Sequence, residues 1–256
     1  AYPKGFNAFY CMKYEVSQQQ YADFRNTLTL TQSNANNTGT SGGRPNPSLT
    51  GTHPNLIAPR PDRAIYMSST NARPYMDWAA LRPMSELEYE KACRGPLAAV
   101  PNEYPWGDIT IQQVGTLSGN EDGTETVTTL GANCNFNNNA YTNGDGGNAG
   151  GLRVGIFAKA GTGRSNAGAT YYGIMDMGGS WNEPVVPLDN ANSRAFNGTH
   201  GDGNLTAAGD DDVATWTSAG FYFRGGFCGS TQSLIRTSSR GGQSGFNTPR
   251  CVRTAP

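Results

Sequence analysis

The sequence has few charged residues and no long apolar run. Lysine, arginine, aspartate and glutamate make up 15% of its 256 residues, and the formal net charge is −1. A chain with this balance gives no reason to expect a nucleic acid or an anionic membrane surface as its main partner. It contains no stretch of about 18 consecutive apolar residues, so it predicts no membrane span.

Cysteine and histidine are too sparse for a recognisable metal motif. The five cysteines include no Cys-x-x-Cys pair and no zinc spacing, and their odd number leaves at least one thiol free. Cys11 and Cys93 lie in segments of apolar pattern, which favours buried thiols. The chain also lacks a nucleophile elbow, a P-loop and a His-Glu-x-x-His motif. These absences exclude the commonest hydrolase and nucleotide-binding sites.

Glycine and aromatic residues, by contrast, are abundant. The chain has 34 glycines, 15 prolines and 10% aromatic residues. The aromatic content argues against disorder, while glycine and proline favour turns and loops. We therefore expect a compact, loop-rich fold in which residues 1–256 form one domain.

Three helices are predicted in the first 100 residues. Two of them begin with a capping box, at Ser17–Gln20 and at Ser85–Glu88, and Gly95 is placed to end the second. A third helix is predicted over residues 67–81, although Pro74 opposes it. Glu86, Glu88 and Glu90 are spaced along the second capped helix. We interpret them as a solvated helix face rather than a catalytic acid–base pair.

The remaining segments predict loops and short strands. Residues 31–62 and 131–151 are rich in small polar residues and are predicted to be loop. Short strands are predicted around residues 124–130, at Phe221–Gly225 and at Cys251–Arg253. Helices early in the chain followed by short strands predict an α+β fold rather than alternating β-α-β units. Asp210, Asp211 and Asp212 are most simply loop residues, with metal binding as the alternative.

Five motifs occur in the order of one known domain family. They read KYEVSQQQYADF, LRPMSELEYEKACRG, YPWGD, YGIMDMGGSWNEPVV and FRGGFC…PRCVR. Together they span Phe9 to Arg253 and resemble the formylglycine-generating-enzyme domain, also called the sulfatase-modifying-factor domain. The resemblance implies a C-type-lectin-like fold with short strands, few helices and long irregular loops.

One branch of that family is a closer match. The stretches FNAFYCMKYEVSQQQYADF, NGTHGDGNL and RCVRTAP resemble variable proteins of diversity-generating retroelements. Those proteins display residues that an error-prone reverse transcriptase rewrites at adenines of a template. The resemblance implies a non-enzymatic, receptor- or adhesin-like protein whose ligand is a protein or glycan on another cell or host surface. It also implies display outside the cell, at a cell surface or on a phage particle, with 224–253 as the hypervariable region.

The resemblance implies that exposed positions of this region form the ligand surface. The ten expected positions are Phe227, Cys228, Gly229, Ser230, Ile235, Ser239, Gly241, Gly242, Gly245 and Phe246. An exposed phenylalanine would anchor a ligand, but Phe227 and Phe246 suit a core equally well. Cys228 is also compatible with a buried thiol or a disulfide to Cys251. The glycines are also compatible with turns alone.

Several larger side chains are expected to support that surface. Arg224, Arg236, Arg240 and Arg250 are predicted to fix the loop backbone through bonds to carboxylates or carbonyls. Trp181 and Trp216 are predicted to be core residues, with pocket lining as the alternative.

The resemblance further implies structural calcium. The first site would use the side chains of Asp176 and Glu183 and the carbonyls of Gly179 and Trp181. The second would use the side chains of Asn133 and Asp145 and the carbonyls of Cys134 and Gly147. Without the resemblance, Asp176 suits a turn or a helix cap as well as calcium.

Enzymatic activity is not expected. The oxidases of this family need two thiols after the Arg-Gly-Gly motif, because a thiolate pair binds copper. Only Cys228 lies there, and the next cysteine is Cys251. The only histidines, His53 and His200, do not make the cluster that the iron enzymes of this family need, so neither copper nor iron is expected. The alternatives are a copper oxidase and a fixed structural or accessory member of the same superfamily.

Overall fold

A computed structural model describes residues 1–38, 49–120, 122–137, 150–241 and 247–256, with the backbone alone at residues 217–219. The described residues form short helices and strands joined by long loops, which is an α+β architecture. The helices are α1 (Gln18–Thr27), α2 (Leu30–Ala35), α3 (Ser69–Trp78), α4 (Glu86–Arg94), α5 (Ala191–Arg194), α6 (Ala214–Ala219) and α7 (Gln232–Ile235). The strands are β1 (Phe9–Cys11), β2 (Met84–Ser85), β3 (Leu117–Ser118), β4 (Thr126–Val127), β5 (Glu183–Val186), β6 (Tyr222–Arg224) and β7 (Val252–Thr254).

Both predicted capping boxes are confirmed. At the start of α4 the Glu88 N–H donates to Ser85 Oγ at 3.1 Å, and the Ser85 N–H donates to Glu88 Oε2 at 3.0 Å. Ser17 and Gln20 make the same reciprocal pair before α1. Each box satisfies two of the N–H groups that a helix leaves unpaired at its start. The helix α4 ends at Gly95, which has a φ of +63°.

The structure adds one helix that the sequence did not predict and confirms another that contains a proline. The predicted loop at 31–62 is wrong at its beginning, because α2 covers Leu30–Ala35 with its own capping box of Thr29 and Gln32. The helix predicted over 67–81 is confirmed as α3 even though Pro74 lies inside it. Tyr75 and Met76 are buried on this helix, so tertiary packing outweighs the proline penalty.

The sheets bring distant parts of the chain together. The three-stranded sheet has the order β2-β5-β6, with β5 parallel to β2 and antiparallel to β6. In this sheet Glu183 faces Arg224. The strands β1 and β7 pair antiparallel with Phe9 opposite Thr254, and β3 pairs with β4. The C-terminal third is therefore held between the first strand and the central sheet.

The core is divided into several clusters rather than one continuous layer. The largest contains Tyr21, Phe24, Tyr75 and Trp216. A second, between α4 and the central sheet, contains Tyr89 and seven further buried residues. Trp181 is buried with Ala64 and Cys228, so Trp181 and Trp216 are both core residues as predicted. No helix within the described residues is long and apolar enough to cross a membrane.

Candidate functional site

The segment between β6 and β7, residues 225–250, is called the C-terminal loop below; the structure describes 225–241 and 247–250 of it. It begins with Gly225 and Gly226, whose φ values are +78° and +69°. A Cβ atom on Gly225 would lie 2.5 Å from Glu183 Oε2 and 2.6 Å from the Met177 carbonyl oxygen. The Arg-Gly-Gly motif is therefore required by backbone conformation and by the close approach of the central sheet.

Arg224 fixes the first half of the C-terminal loop from below. Its side chain is almost fully buried, and Nη2 donates to Glu90 Oε1 and to the Thr237 carbonyl oxygen, both at 2.5 Å. Nη1 lies 3.4 Å from Glu86 Oε2, and the guanidinium lies 4.9 Å from the centre of the Tyr89 ring. One arginine thus connects α4 to a main-chain carbonyl of the loop, as the sequence predicted.

Arg250 fixes the other end of the loop. It is fully buried, with Nη2 at 3.3 Å and Nε at 3.4 Å from Glu183 Oε1. Its Nη1 donates to the Met12 carbonyl oxygen at 3.1 Å, next to β1. Arg240 is more than half exposed and pairs with Glu86 at 3.3 Å, while Arg236 hydrogen-bonds the Tyr104 side chain.

The carboxylates of α4 are not a solvated face, and that interpretation is wrong. Glu86 and Glu88 are both buried. Glu88 accepts two hydrogen bonds from Arg82, at 2.8 and 2.7 Å, and Glu86 accepts one from the Leu188 N–H at 2.9 Å. The sequence spacing could not reveal this, because the partners come from β6, the loop before β2 and the segment after β5.

The C-terminal loop is also attached through its own main chain. Six backbone hydrogen bonds connect it to other segments at distances of 2.8 to 3.1 Å. With the donor first, they are Gly179 N to Gly225 O, Cys228 N to Ser180 O, Asn137 N to Ser230 O, Thr237 N to Glu103 O, Met67 N to Asn247 O and Thr248 N to Asn182 O. None of these bonds uses a loop side chain, so the attachment does not depend on which side chains the loop carries.

The expected ligand positions do not all lie at the surface. Cys228, Ser230 and Ile235 have 4%, 1% and 0% of their surface exposed, so the prediction that they are exposed is wrong. Ile235 packs in a cluster with Tyr104, and Ser230 Oγ accepts the Phe227 N–H at 2.9 Å. Phe227, Gly229 and Ser239 are half-buried and Gly241 is exposed. Gly242, Gly245 and Phe246 lie outside the described residues.

Sequence reasoning missed a group of exposed side chains on the same loop. Its members are Thr231, Gln232, Ser233, Ser238 and Arg240. The first three precede and begin α7, and the order Thr-Gln-Ser followed by Leu-Ile could have placed polar residues outward and apolar ones inward.

Cys228 is poorly suited to thiolate chemistry. Burial raises the pKa of its thiol to about 12, and the charge of Glu15 raises it further. All five cysteines are free thiols, so no Cys228–Cys251 disulfide forms. Cys251 is buried in the cluster around Tyr21, whereas Cys228 lies beside Trp181.

The residues of the first expected calcium site lie in a buried acidic cluster. Asp176 has a φ of +57°, and its Oδ2 accepts the Gly155 N–H at 2.6 Å. Glu183 is paired with Arg250, but its Oε2 has no hydrogen-bond partner. Burial raises the pKa of Glu183 to about 8, even though Arg250 acts to lower it.

A third carboxyl group belongs to this cluster and was not anticipated. Glu15 Oε1 accepts the Trp181 N–H at 3.1 Å, and Oε2 has no hydrogen-bond partner. Burial raises the pKa of Glu15 well above its usual range, and the charges of Asp176 and Glu183 raise it further. Two buried carboxylate oxygens, Glu15 Oε2 and Glu183 Oε2, thus lack a hydrogen-bond donor, and the ligand atoms of Glu15, Asp176 and Glu183 do not all lie within 4.8 Å of one another.

The two described residues of the second expected calcium site, Asn133 and Cys134, already use their oxygens in hydrogen bonds. Asn133 Oδ1 already accepts the Gln112 N–H at 2.9 Å, and the Cys134 carbonyl accepts the Val114 N–H at 3.1 Å. Asp145 and Gly147 lie outside the described residues.

Another acidic group lies far from the C-terminal loop in sequence. Within the described residues, Asp77, Asp202 and Asp212 are the one group of three acidic, histidine or cysteine side chains with ligand atoms within 4.8 Å of one another. Asp77 is fully buried, and its carboxylate accepts the N–H groups of Asp202 at 3.0 Å and Asp212 at 3.1 Å. These bonds account for Asp77 as the anchor of two loops, in agreement with the loop interpretation of residues 210–212.

Comparison with known protein families gives a match over nearly the whole chain. The family model for the sulfatase-modifying factor enzyme 1-like domain matches residues 3–253. A search of curated proteins finds no match. The matched range contains both capped helices, the central sheet and the whole C-terminal loop.

Proposed function

Because this chain belongs to the sulfatase-modifying factor enzyme 1-like domain family, we propose that it is a non-catalytic, ligand-binding member of that family. In this proposal it is a variable protein of a diversity-generating retroelement, built on a C-type-lectin-like scaffold. The C-terminal loop carries the diversified residues. The ligand is a protein or glycan on another cell or host surface, and the protein is displayed outside the cell, at a cell surface or on a phage particle.

The observation that carries this proposal is how the C-terminal loop is held. Arg224 binds the Thr237 carbonyl oxygen from the scaffold side, and six further bonds attach the main chain of the loop to other segments. A backbone fixed in this way keeps its course when exposed side chains change. A binding surface that must accept many sequences needs this property, since a preorganised loop loses less entropy on binding.

Burial divides the loop into two kinds of position. Ser230, Ile235 and Thr237 are buried, and we propose that they are constant because they support the loop. The proposed variable positions are Phe227, Gly229, Thr231, Gln232, Ser233, Ser238, Ser239 and Gly241, which are all exposed or half-buried. Phe227 is the aromatic anchor in this set.

The environment of Cys228 favours binding over oxidation. Copper-dependent thiol oxidation in this family needs two thiolates, whereas burial keeps the Cys228 thiol protonated. Cys251 is packed in a different cluster. We therefore propose no enzymatic activity and no copper or iron.

We also propose a structural calcium ion beside Glu15, Asp176 and Glu183. The two donorless oxygens of Glu15 and Glu183 support it, because buried carboxylates in excess of buried cations are costly without a counter-charge. A bound ion would supply that charge under the loop that contains Trp181.

Sequencing of the gene's 3′ end from one culture tests the main proposal. We expect substitutions at the codons of the proposed variable positions, each matching an adenine in a near-copy of that end elsewhere in the genome. The codons for Arg224 and Arg250 should be constant.

A uniform 3′ end without a near-copy would contradict the retroelement proposal and leave a fixed accessory member. Copper-dependent turnover of a cysteine-containing sulfatase peptide would instead establish an oxidase.

A further inference from the structure

A groove of about 370 Å³ lies along the outer side of β1, and this is called the β1 groove below. Its lining includes Phe9 and Cys11 of β1, Lys91 of α4, Ile174 and Lys13. The volume is that of a typical ligand site. None of the described residues that line it belongs to the C-terminal loop.

The β1 groove follows the edge of β1 that faces away from β7. Among the described strands, β1 pairs with β7 alone, in a two-stranded sheet. The Met12 N–H donates to the Cys251 carbonyl, and the Ala255 N–H donates to the Ala8 carbonyl. In an antiparallel ladder, bonded and non-bonded pairs alternate. The N–H and C=O groups of Phe9 and Cys11 therefore point away from β7, toward the groove.

One hydrogen bond shows that this edge accepts another backbone. Lys13 lies two residues after Cys11, so its N–H and C=O groups also point away from β7. Its carbonyl oxygen accepts the Met175 N–H at 2.8 Å. The chain before Met175 then contributes Tyr172 and Ile174 to the groove wall. Pairing thus begins at one end of the edge, and no described strand pairs with this edge along β1, where the groove lies.

The charges in the β1 groove have one sign. Among the described residues that line it, Lys13 and Lys91 are charged and none is acidic. Lys91 Nζ donates to the Asn7 carbonyl oxygen at 2.9 Å and lies 5.4 Å from the centre of the Phe9 ring. Apolar side chains, among them Ala92 and Ile174, also line the groove.

We propose that the β1 groove binds an extended peptide segment of a partner protein in which acidic and apolar residues alternate. The peptide backbone pairs with the outward N–H and C=O groups of Phe9 and Cys11, as in other strand-addition complexes. Its apolar side chains cover the floor, and its carboxylates pair with Lys13 and Lys91. The proposal does not depend on the function proposed for the C-terminal loop.

Fluorescence anisotropy with a labelled Val-Glu-Val-Glu-Val-Glu peptide tests the proposal on the whole chain. We expect saturable binding that weakens with added salt, and no binding of the matching Val-Lys peptide. The Lys13→Gln/Lys91→Gln variant should bind on the order of tenfold more weakly, since each exposed ion pair contributes a few-fold in affinity. Arg194→Gln, which removes an exposed charge elsewhere, is the matched control.

Backbone N-methylation separates strand pairing from charge attraction. Methylation at alternate peptide residues removes the N–H groups on one edge of the strand only. One of the two methylation phases should abolish binding and the other should preserve it, and bound peptide should slow amide exchange at Phe9 and Cys11. The proposal is overturned by equal effects of both phases, by unchanged affinity of the double-lysine variant, or by no binding at about 1 mM peptide.

Discussion

Single buried arginines connect the scaffold to the C-terminal loop. Arg224 alone contacts two carboxylates of α4, a loop carbonyl and the Tyr89 ring. Its planar guanidinium can make these bonds at the same time, which a lysine ammonium cannot do in the same geometry. Removing this guanidinium takes a buried donor away from the Thr237 carbonyl and leaves Glu86 with Arg240 and the Leu188 N–H.

We expect Arg224→Met to lower the free energy of unfolding by about 3–5 kcal/mol, because it breaks a buried charge network on one side. Denaturant titration measures this change. Arg194→Met is the control, since Arg194 is exposed and donates only to the Leu188 carbonyl. A loss at Arg224 no greater than that at Arg194 would show that the loop is held without it.

His200 gives a pH dependence with a definite sign. Its Nε2 accepts the Thr254 N–H at 3.0 Å. Burial lowers the pKa of His200, and Arg82 and Arg253 lower it further, while Glu88 opposes them. The folded state therefore binds this proton less tightly than the unfolded chain.

We expect the contribution of neutral His200 to folding stability to be present above about pH 6.5, the usual pKa of histidine, and to be lost as the pH falls below it. The melting temperature should decline more steeply between pH 7 and pH 5 in the wild type than in His200→Gln. Parallel melting curves for the two proteins would show that the Thr254 contact does not depend on protonation.

At the scale of elements, the four-residue helix α7 has one buried side that packs against the core and one side that is exposed. Ile235 is buried in a cluster with Tyr104 and Trp106, whereas Gln232 and Ser233 are exposed. The same short helix therefore packs against the core on one side and exposes side chains on the other, where we propose that a ligand binds.

We expect Ile235→Ala to cost about 2–5 kcal/mol of unfolding free energy, because it empties a packed site. Gln232→Ala should change stability by less than about 0.5 kcal/mol. Denaturant titration compares the two variants. Equal stability losses would contradict the division of the loop into constant and variable positions.

Local sequence patterns were sufficient for elements whose signals are local. The capping boxes at Ser17 and Ser85 predicted the starts of α1 and α4 because the bonds lie within three residues of the chain. The same pattern at Thr29 was available but was overlooked within a polar stretch. The outward position of Ile235 was predicted wrongly, because its burial depends on a cluster that side chains between residues 104 and 136 supply.

At the scale of the whole molecule, the acidic cluster of Glu15, Asp176 and Glu183 links the two ends of the chain. Glu15 precedes α1, Glu183 begins β5, and Arg250 comes from the end of the C-terminal loop. Glu15 accepts the Trp181 N–H, and Glu183 pairs with Arg250, so these segments meet in one buried region.

We expect a calcium chelator to lower the melting temperature, because an ion that binds only the folded state stabilises it by about 2.7 kcal/mol at 100 times its dissociation constant. Differential scanning calorimetry with and without added calcium measures the effect. Glu15→Gln should reduce the calcium response, whereas Glu125→Gln, which alters another buried glutamate, should retain it. An unchanged melting temperature would mean that Arg250 and protonation alone compensate the carboxylates.

The sequence by itself determined the α+β class, the capped helices, the Arg-Gly-Gly turn and the family, because these depend on residue order and short-range spacing. Only the tertiary structure decided which residues are buried. Glu86 and Glu88, which were expected on a solvated face, are buried and pair with arginines. Glu15 belongs to the acidic cluster, and Cys228 and Ile235 are buried. The physical reason is that burial and charge pairing depend on contacts between segments that can be more than 200 residues apart, such as Met12 and Arg250. A local sequence pattern does not indicate which of these segments are in contact.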